Sequence, residues 1–144
     1  MQQTTGLDPV VALYFKVVVD GYDLGTFLSC EGLAVDVDIK EVSEGGNNGF
    51  AWKLPGRTSY SNIRFSRPLG RQSGKVAGWI ARMGTGIKPG TGSITAMDYN
   101  DKPLFSWNLE GVVPVRWEGP QFSVDSAKVA TETLEIAHHG FALK

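Results

Sequence analysis

Cysteine and long apolar runs are scarce in this sequence, and each scarcity excludes a class of protein. Among 144 residues there is one cysteine, Cys30, which excludes an internal disulfide and a cysteine-rich zinc site. Apolar runs are only a few residues long, too short for a helix that spans a membrane. Residues 1–10 have neither a basic start nor an apolar stretch, so they do not resemble a secretory signal. We therefore expect a soluble protein made in a cytoplasm.

The length and composition are those of one globular domain, which we expect to span residues 1–144. A chain of 144 residues falls within the usual domain size of about 100–200 residues. Apolar residues make up 42% of the chain and charged residues 20%, which excludes a disordered protein. The domain is large enough to bury a core without disulfides or metals.

Residues suited to catalysis or metal binding are present, but none forms a convincing site. His138 and His139 are adjacent in a predicted strand, so they point to opposite faces and cannot readily chelate one metal. Asp36 and Asp38 share one strand face, where solvated carboxylates are common. The glycine-rich segment 84–93 leads into a strand, so it lacks the helix N-terminus of a phosphate-binding loop. We expect no enzyme, no metal and no cofactor.

Glycines separate short runs in which apolar and polar residues alternate, and this pattern predicts a mainly β fold. Residues 32–42 and 62–66 alternate most cleanly and are predicted strands with one apolar face each. A strand is also predicted at about 129–138. Its pattern is less clean, because Glu132 falls among the apolar residues of its other face.

One segment has the spacing of a helix. Apolar residues from Val76 to Met83 recur with helical spacing and predict a helix at about 73–83 whose apolar stripe packs on a sheet. We expect Ser73 to be its N-cap and Gly84 to adopt a left-handed conformation after its last turn.

Charge is distributed unevenly along the chain. Residues 45–97 contain eight Lys or Arg and no Asp or Glu, whereas residues 1–44 have a net charge of −6 and residues 98–144 a net charge of −3. Three interpretations stay open. The bases pair with flanking carboxylates inside one molecule, or they bind nucleic acid together with nearby aromatic residues, or they attract the acidic surface of another copy, as in rings and filaments.

The segment 44–61, which we call the arm, is longer than usual for a connection between two strands. Loops of this length, about 18 residues, are usually functional or disordered. The arm contains Phe50, Trp52, Leu54 and Tyr60, whose apolar side chains need a surface to cover. We therefore interpret the arm as a long loop shaped for contact with protein.

Several stretches together resemble a known family. The sequence EGGNNGFAWKLPGRTSYSNIRFSR at 44–67 closely resembles the signature of the inner tube proteins of contractile phage tails and contractile injection systems. The stretches YFKVVVDGYDLGTFLSCEGLAVDVD at 14–38, NLEGVVPVRWEGP at 108–120 and ETLEIAHHGF at 132–141 resemble it as well. The resemblance therefore covers almost the whole chain.

The resemblance implies a β-sandwich or barrel-like tube subunit with one flanking helix. It implies a homo-oligomer, in which hexameric rings stack into a hollow tube, with the type VI secretion tube protein as a more distant relative. The implied partners are a sheath protein, baseplate or spike and terminator proteins, and an effector protein or DNA in the lumen. The particle is a phage tail or phage tail-like particle, assembled in a bacterial cytoplasm.

The resemblance also implies roles for two sets of residues. The arm contacts adjacent subunits and the next ring, through residues that we expect to be Glu44, Asn47, Asn48, Phe50, Trp52, Lys53, Leu54, Arg57 and Tyr60. Four strands of each subunit join those of its neighbours in a barrel that lines the channel. We expect the lumen-facing residues to be Asp36, Asp38, Lys40, Asn62, Arg64, Thr131, Thr133 and Glu135. The alternative function is a nucleic-acid-binding β-barrel that uses the basic segment 53–82.

Overall fold

The computed structural model describes residues 11–43, 49, 51–84, 86, 88–120 and 129–142. Within them the chain is mainly β, with one helix, α1, at Ser73–Met83. The strands are β1 (Tyr14–Val19), β2 (Tyr22–Phe27), β3 (Ser29–Glu31), β4 (Val35–Val42), β5 (Trp52–Tyr60), β6 (Ile63–Pro68), β7 (Gly90–Met97), β8 (Pro103–Glu118), β9 (Thr131–Ala137) and β10 (Gly140–Phe141). The predicted fold class is confirmed.

Eight of the strands form one curved antiparallel sheet, which we call the body together with α1. The strand order is β2-β1-β7-β8-β9-β6-β3, and β10 pairs with β8 beside β9. Strand β8 is 16 residues long and pairs with β7 through its first half and with β9 through its second half. Strands β2 and β3 lie at the two ends of this order but are separated by Leu28 alone in the sequence. The two ends of the sheet are therefore close together, and the sheet is curved.

Alternating side chains from these strands fill the space inside the curved sheet. On β6, Ile63 and Phe65 are fully buried, as their alternation with polar residues predicts. The rings of Phe27 and Phe65 lie 5.2 Å apart between centroids and pack at a tilt. The core cluster consists of Val17, Val19, Leu24, Phe27, Ile63, Phe65, Val76, Trp79, Ile94, Leu109, Val112, Leu134 and Ile136.

Helix α1 confirms the predicted segment, but both predicted ends differ in detail. Its apolar stripe packs on the core, with Val76 and Trp79 buried. The hydroxyl of Ser73 does not cap the helix, because it accepts a hydrogen bond from the Gly70 N–H at 2.9 Å, and the cap position falls on Gln72. Gly84 has φ −66° and is therefore not left-handed. Its N–H donates to the Ala81 carbonyl, which tightens the last turn to 3₁₀ geometry.

Strands β4 and β5 form a separate two-stranded antiparallel sheet, which we call the ribbon. The prediction that the whole arm is a loop is wrong for Trp52–Tyr60, which is a strand. The length of the arm predicts a loop, but a strand is possible here because proline is tolerated in a strand that has one partner only, as Pro55 is in β5. Near Gly56 the pairing register shifts as in a β-bulge, and an added Cβ there would lie 3.1 Å from the Asp38 carbonyl. The arm residues Glu44, Asn47, Asn48 and Phe50 lie outside the described residues.

Candidate functional site

Tyr60 fixes how the ribbon is oriented against the body. Its ring packs against those of His138 and Phe141, at centroid distances of 5.3 and 5.5 Å. His138 is buried on the inner side of the sheet, and Phe141 packs against the core. Val35 lies directly opposite Tyr60 in the ribbon, and Val37 follows on the same face. This face of the ribbon therefore continues the core side of the sheet.

That face of the ribbon is apolar and lacks cover from the described part of the chain. Val35, Val37 and Ile39 alternate along β4 and are each about half exposed, with 54% exposure at Ile39. Both strands of the ribbon are exposed over nearly their whole length. A two-stranded sheet is marginally stable by itself, and a contiguous exposed apolar surface marks an interaction site. The apolar face of the ribbon is therefore a candidate interaction surface.

The opposite face of the ribbon contains three of the predicted lumen residues. Asp36, Asp38 and Lys40 alternate with the apolar residues of β4, as predicted, and all three are exposed. Asp36 pairs with Ser59 across the ribbon. Because the face of Val35 continues the core side of the sheet, these residues continue its outer side. Their place in a lumen stays a prediction.

At its far end the ribbon also presents apolar residues on this polar face. Val42 lies opposite Trp52, and Lys40 lies opposite Leu54. Side chains directly opposite each other share one face of a sheet. The predicted arm residues Trp52, Lys53, Leu54 and Arg57 are exposed on β5. Tyr60 differs from them, because it is half-buried against its own chain. The contact role of all five residues stays a prediction.

Two of the predicted lumen residues form an ion pair on the outer face of the body. Arg64 lies on β6 directly opposite Glu135 on β9, with 3.5 Å between its Nη2 and the carboxylate Oε1. Thr133 lies two residues before Glu135 and faces the same side, and Thr131 is exposed at the start of β9. Asn62 is exposed immediately before β6. The structure thus brings Arg64, Thr133 and Glu135 together on one surface.

Further charged residues extend this surface and were missed by the sequence analysis. Arg116 on β8 lies directly opposite Glu135 and forms an ion pair with Glu118, at 3.4 Å. Glu31 on β3 lies directly opposite Arg64. These residues come from four adjacent strands, so the outer face of β3, β6, β9 and β8 is charged with both signs.

Arg67 does not belong to any exposed basic surface. It is 4% exposed, and its Nε donates to the carboxylate of Glu132, which is 1% exposed. Its Nη1 donates to the Leu24 carbonyl and its Nη2 to the Gln72 carbonyl, both at 2.8 Å. The Trp117 indole N–H donates to the other oxygen of Glu132 at 3.2 Å. This network joins β2, β6, β8, β9 and the start of α1.

The ion pairs decide part of the question raised by the uneven charge distribution. Arg64 and Arg67, from the basic segment, pair with Glu135 and Glu132 from the acidic C-terminal flank inside one molecule. The intramolecular interpretation is therefore correct for these two bases.

The alternative nucleic-acid interface has little support. Phe65 and Trp79 are buried in the core and Tyr60 packs against rings of its own chain, so these aromatics are not available for stacking with bases.

Cys30 and His138 belong to residue types that are common in catalysis, and burial shifts the pKa of each. Burial raises the pKa of the Cys30 thiol to about 11, which leaves it protonated and unreactive at neutral pH. His138 is buried and accepts a hydrogen bond from the Gly140 N–H at its Nδ1, and its Nε2 has no partner in the described part of the chain. Burial lowers the pKa of His138. His139 is exposed, and the prediction that the two histidines lie in a strand is wrong, because β9 ends at Ala137 and both residues precede β10.

Metal clusters and membrane-spanning helices are absent from the described ranges. No cluster of three or more His, Cys, Asp or Glu residues there is arranged to hold a metal ion. Nor is any helix within them long and apolar enough to cross a bilayer.

Comparison with solved structures shows the fold of tube proteins. The chain matches one from the PVC sheath-tube complex of an extracellular contractile injection system, with a TM-score of 0.79, 20% identity and coverage of 95% of this chain and 92% of the other. A chain of the anti-feeding prophage baseplate, 6-fold symmetrised, matches with a TM-score of 0.75, 18% identity and coverage of 96% of both. A type six secretion system protein is more distant, with a TM-score of 0.57, 13% identity and coverage of 88% of this chain and 80% of the other.

Comparison by sequence identifies the family. A search among curated proteins gives no match. The family model described as T4-like virus tail tube protein gp19 matches residues 11–142, nearly the whole chain. The chain therefore belongs to the T4-like virus tail tube protein family and is a structural tube subunit.

Proposed function

We propose that copies of this chain close into hexameric rings and that the rings stack into the hollow inner tube of a contractile injection system or contractile phage tail. The subunit acts by self-assembly and has no enzymatic role. The observation that supports this most is the ribbon, whose apolar face of Val35, Val37 and Ile39 is exposed in the single chain. Another copy of the chain provides the cover.

Burial of the ribbon against a second copy supplies much of the free energy of assembly. Burying an exposed aliphatic side chain contributes about 1.5–3 kcal/mol, and the half-exposed residues of the ribbon contribute part of that each. The surface that receives the ribbon differs from the ribbon itself, so the contact is heterologous and closes into a ring when the rotation permits. In such a ring, the ribbon of each copy packs on one neighbour, and the ribbon of the other neighbour packs on that copy.

The predicted arm residues act at the far end of the ribbon. Trp52 and Leu54 are exposed there beside Lys53, at the greatest distance along the ribbon from Tyr60. In the assembled tube they contact an adjacent subunit or the next ring. Arg57, exposed in the middle of β5, contributes a charged contact at the rim of this interface, which sets register more than strength.

The polar face of the ribbon and the outer face of the body line the lumen together. They form one continuous side of the protein, since Asp36 and Asp38 continue the side on which Arg64 and Glu135 lie. A wet, charged wall of both signs suits a channel, because cargo passes without strong attraction. The cargo is DNA in a phage tail or an effector protein in an injection system.

The outside of the tube contacts the other parts of the particle. The matched chains come from structures described as a sheath-tube complex and a baseplate. By this likeness the chain assembles inside a contractile sheath, on a baseplate or spike, and ends at a terminator. Assembly takes place in the bacterial cytoplasm.

The experiment combines electron microscopy with cysteine labelling. The purified chain should form rings or hollow tubes in negative stain. In a Cys30→Ser background, Asp38→Cys should react with a bulky maleimide in the free subunit and become protected in assembled tubes. The control, Lys88→Cys, replaces an exposed residue outside the lumen set and should react in both states.

Two results would contradict the proposal. Equal labelling of Asp38→Cys and Lys88→Cys in tubes would overturn the lumen assignment. A discrete monomer at high concentration that binds oligonucleotides in a salt-dependent manner would favour the nucleic-acid alternative.

A further inference from the structure

A row of alternating charges crosses four adjacent strands on the outer face of the body. In this row each residue lies directly opposite the next, as the pairings of β8 with β9, β9 with β6 and β6 with β3 show. The row runs Arg116 on β8, Glu135 on β9, Arg64 on β6 and Glu31 on β3. It begins with a positive charge and ends with a negative charge, so the two ends are complementary.

Both ends of the row lie on strand edges that the described part of the chain leaves unpaired. Strand β3 pairs with β6 on one side only, at one end of the strand order. The second half of β8 pairs with β9 on one side, while β7 pairs only with the first half, up to Val112. An unpaired edge presents backbone N–H and C=O groups to any strand that can dock there.

Strand direction makes these two edges compatible with each other. The pairs β8–β9, β9–β6 and β6–β3 are all antiparallel. Across four strands, β3 therefore runs opposite to β8. When a second copy places its β8 beside β3 of the first, the new pair is antiparallel like all the others, and every copy can repeat the same contact.

We infer that β3 of one copy pairs with the second half of β8 of the next copy, in the register that sets Glu31 opposite Arg116. This inference rests on the proposed function and names the residues of its ring contact. The alternation of charge then continues across the boundary between copies. In a closed ring every Arg of the row has an acid on each side, and no like charges meet.

Other registers of the same two edges lack this complementarity. The next row of outward-facing residues lies two positions further along each strand. In that row Glu118 lies opposite Thr133, Thr133 opposite Ser66, and Ser66 opposite Ser29. A shift of two residues would set Glu31 beside Glu118 or set Arg116 beside Ser29. The charge row therefore selects one register, because like charges directly opposite each other are destabilising.

The test uses two charge reversals, Glu31→Arg and Arg116→Glu, purified separately and then mixed. Each variant alone places like charges at every boundary, Arg against Arg or Glu against Glu. We expect the protein concentration at which rings appear to rise at least about tenfold for each. In an equimolar mixture every boundary of an alternating ring is complementary, so rings should reappear near the wild-type concentration.

The mixture separates the boundary contact from effects inside one copy. Glu31→Arg also faces Arg64, and Arg116→Glu also faces Glu135, and these mismatches persist in the mixture. Recovery on mixing therefore reports the boundary alone and shows that both variants fold. Asp38→Arg is the matched control, since it reverses an exposed acid further along the chain. The Asp38→Arg chain keeps Glu31 and Arg116 and should form rings by itself, but labelled Arg116→Glu chains should not enter those rings.

The possible failures are distinguishable. Variants that assemble alone as readily as wild type would overturn the inference, as would variants that stay unassembled on mixing. Entry of labelled Arg116→Glu chains into rings with Asp38→Arg would show that a different acid meets Arg116, and would overturn the register. In these cases wild-type rings still form and the proposed function stands, whereas a wild-type chain that never forms rings contradicts the proposed function itself.

Discussion

Strands β6 and β4 have the same alternating pattern but opposite surroundings. On β6, Ile63 and Phe65 are completely buried, under β2 and the rest of the core. On β4, Val37 and Ile39 are about half exposed, because the ribbon has no second layer in the described structure. The pattern specifies which face is apolar. It does not specify whether the cover comes from the same copy or from another one.

The ion pairs also differ in whether they are buried within one copy or exposed on its surface. The Arg67–Glu132 pair is buried and linked by hydrogen bonds to several elements, so it belongs to the stability of one copy. The Arg64–Glu135 pair is exposed on a surface that we assign to the lumen, with 59% exposure of the Arg64 side chain. Exposed pairs of this kind contribute about 0–1 kcal/mol. Body and ribbon should therefore respond differently to substitution.

The largest effect is expected from Glu132→Ala in the body. It leaves the Arg67 guanidinium buried without its carboxylate, and breaking a buried pair in this way costs about 3–5 kcal/mol. The measurement is urea unfolding of dilute, unassembled protein. Glu135→Ala is the control on the same strand and should lose no more than about 1 kcal/mol. Similar losses in the two variants would remove the distinction between buried and exposed pairs.

An intermediate effect is expected from Ile39→Asp in the ribbon, and it should appear in assembly only. The free energy of unfolding of the dilute chain should change by no more than about 0.5 kcal/mol, since the residue is exposed. Assembly should weaken by more than tenfold, because loss of a buried aliphatic contact costs about 1.5–3 kcal/mol. Sedimentation of assembled protein against concentration measures this.

The matched control is Lys40→Gln, on the neighbouring position of the opposite ribbon face. It should assemble at nearly the wild-type concentration, because it leaves the apolar face intact. Normal assembly of Ile39→Asp would show that another copy does not cover this face.

The smallest effect concerns His138, where the ribbon meets the body. Burial lowers its pKa in the folded chain, so the unfolded chain binds a proton more readily. The contribution of His138 to the free energy of unfolding is therefore largest above the unfolded pKa of about 6.5. It decreases as the pH falls from there toward the folded pKa, by at most about 1.4 kcal/mol per pH unit. His138→Phe should flatten urea-unfolding stability below pH 6.5. The control His139→Gln changes an exposed neighbour and should leave the pH dependence of the unfolding free energy unchanged. A wild-type unfolding free energy that does not depend on pH below 6.5 would contradict this prediction.

Much of the fold could be predicted from local patterns. Alternation indicated that Ile63 and Phe65 face the core, and helical spacing indicated α1, because both depend on residues close in sequence. The length of the arm predicts a loop, whereas Trp52–Tyr60 is a strand that contains Pro55 and Gly56, residue types uncommon in strands. They are accommodated here by a ribbon edge and a bulge, which only the pairing with β4 shows.

Long-range pairing explains the rest of what sequence reasoning missed. Glu132 interrupts the apolar face of β9 in the sequence pattern, and the pattern does not show why, because its partner Arg67 lies 65 residues away. The sequence pattern does not place Arg116 on the outer face, since Pro114 and a bulge interrupt the alternation of β8 there. Its position beside Glu135 follows from strand order, which the sequence pattern does not contain.

The central claim is that another copy covers the apolar face of the ribbon, and cryo-electron microscopy of assembled wild-type protein tests it most directly. At side-chain resolution, Val35, Val37 and Ile39 should be buried against a neighbouring copy, with Asp36 and Asp38 facing the channel. Assemblies in which these three apolar residues stay in contact with solvent would contradict the account.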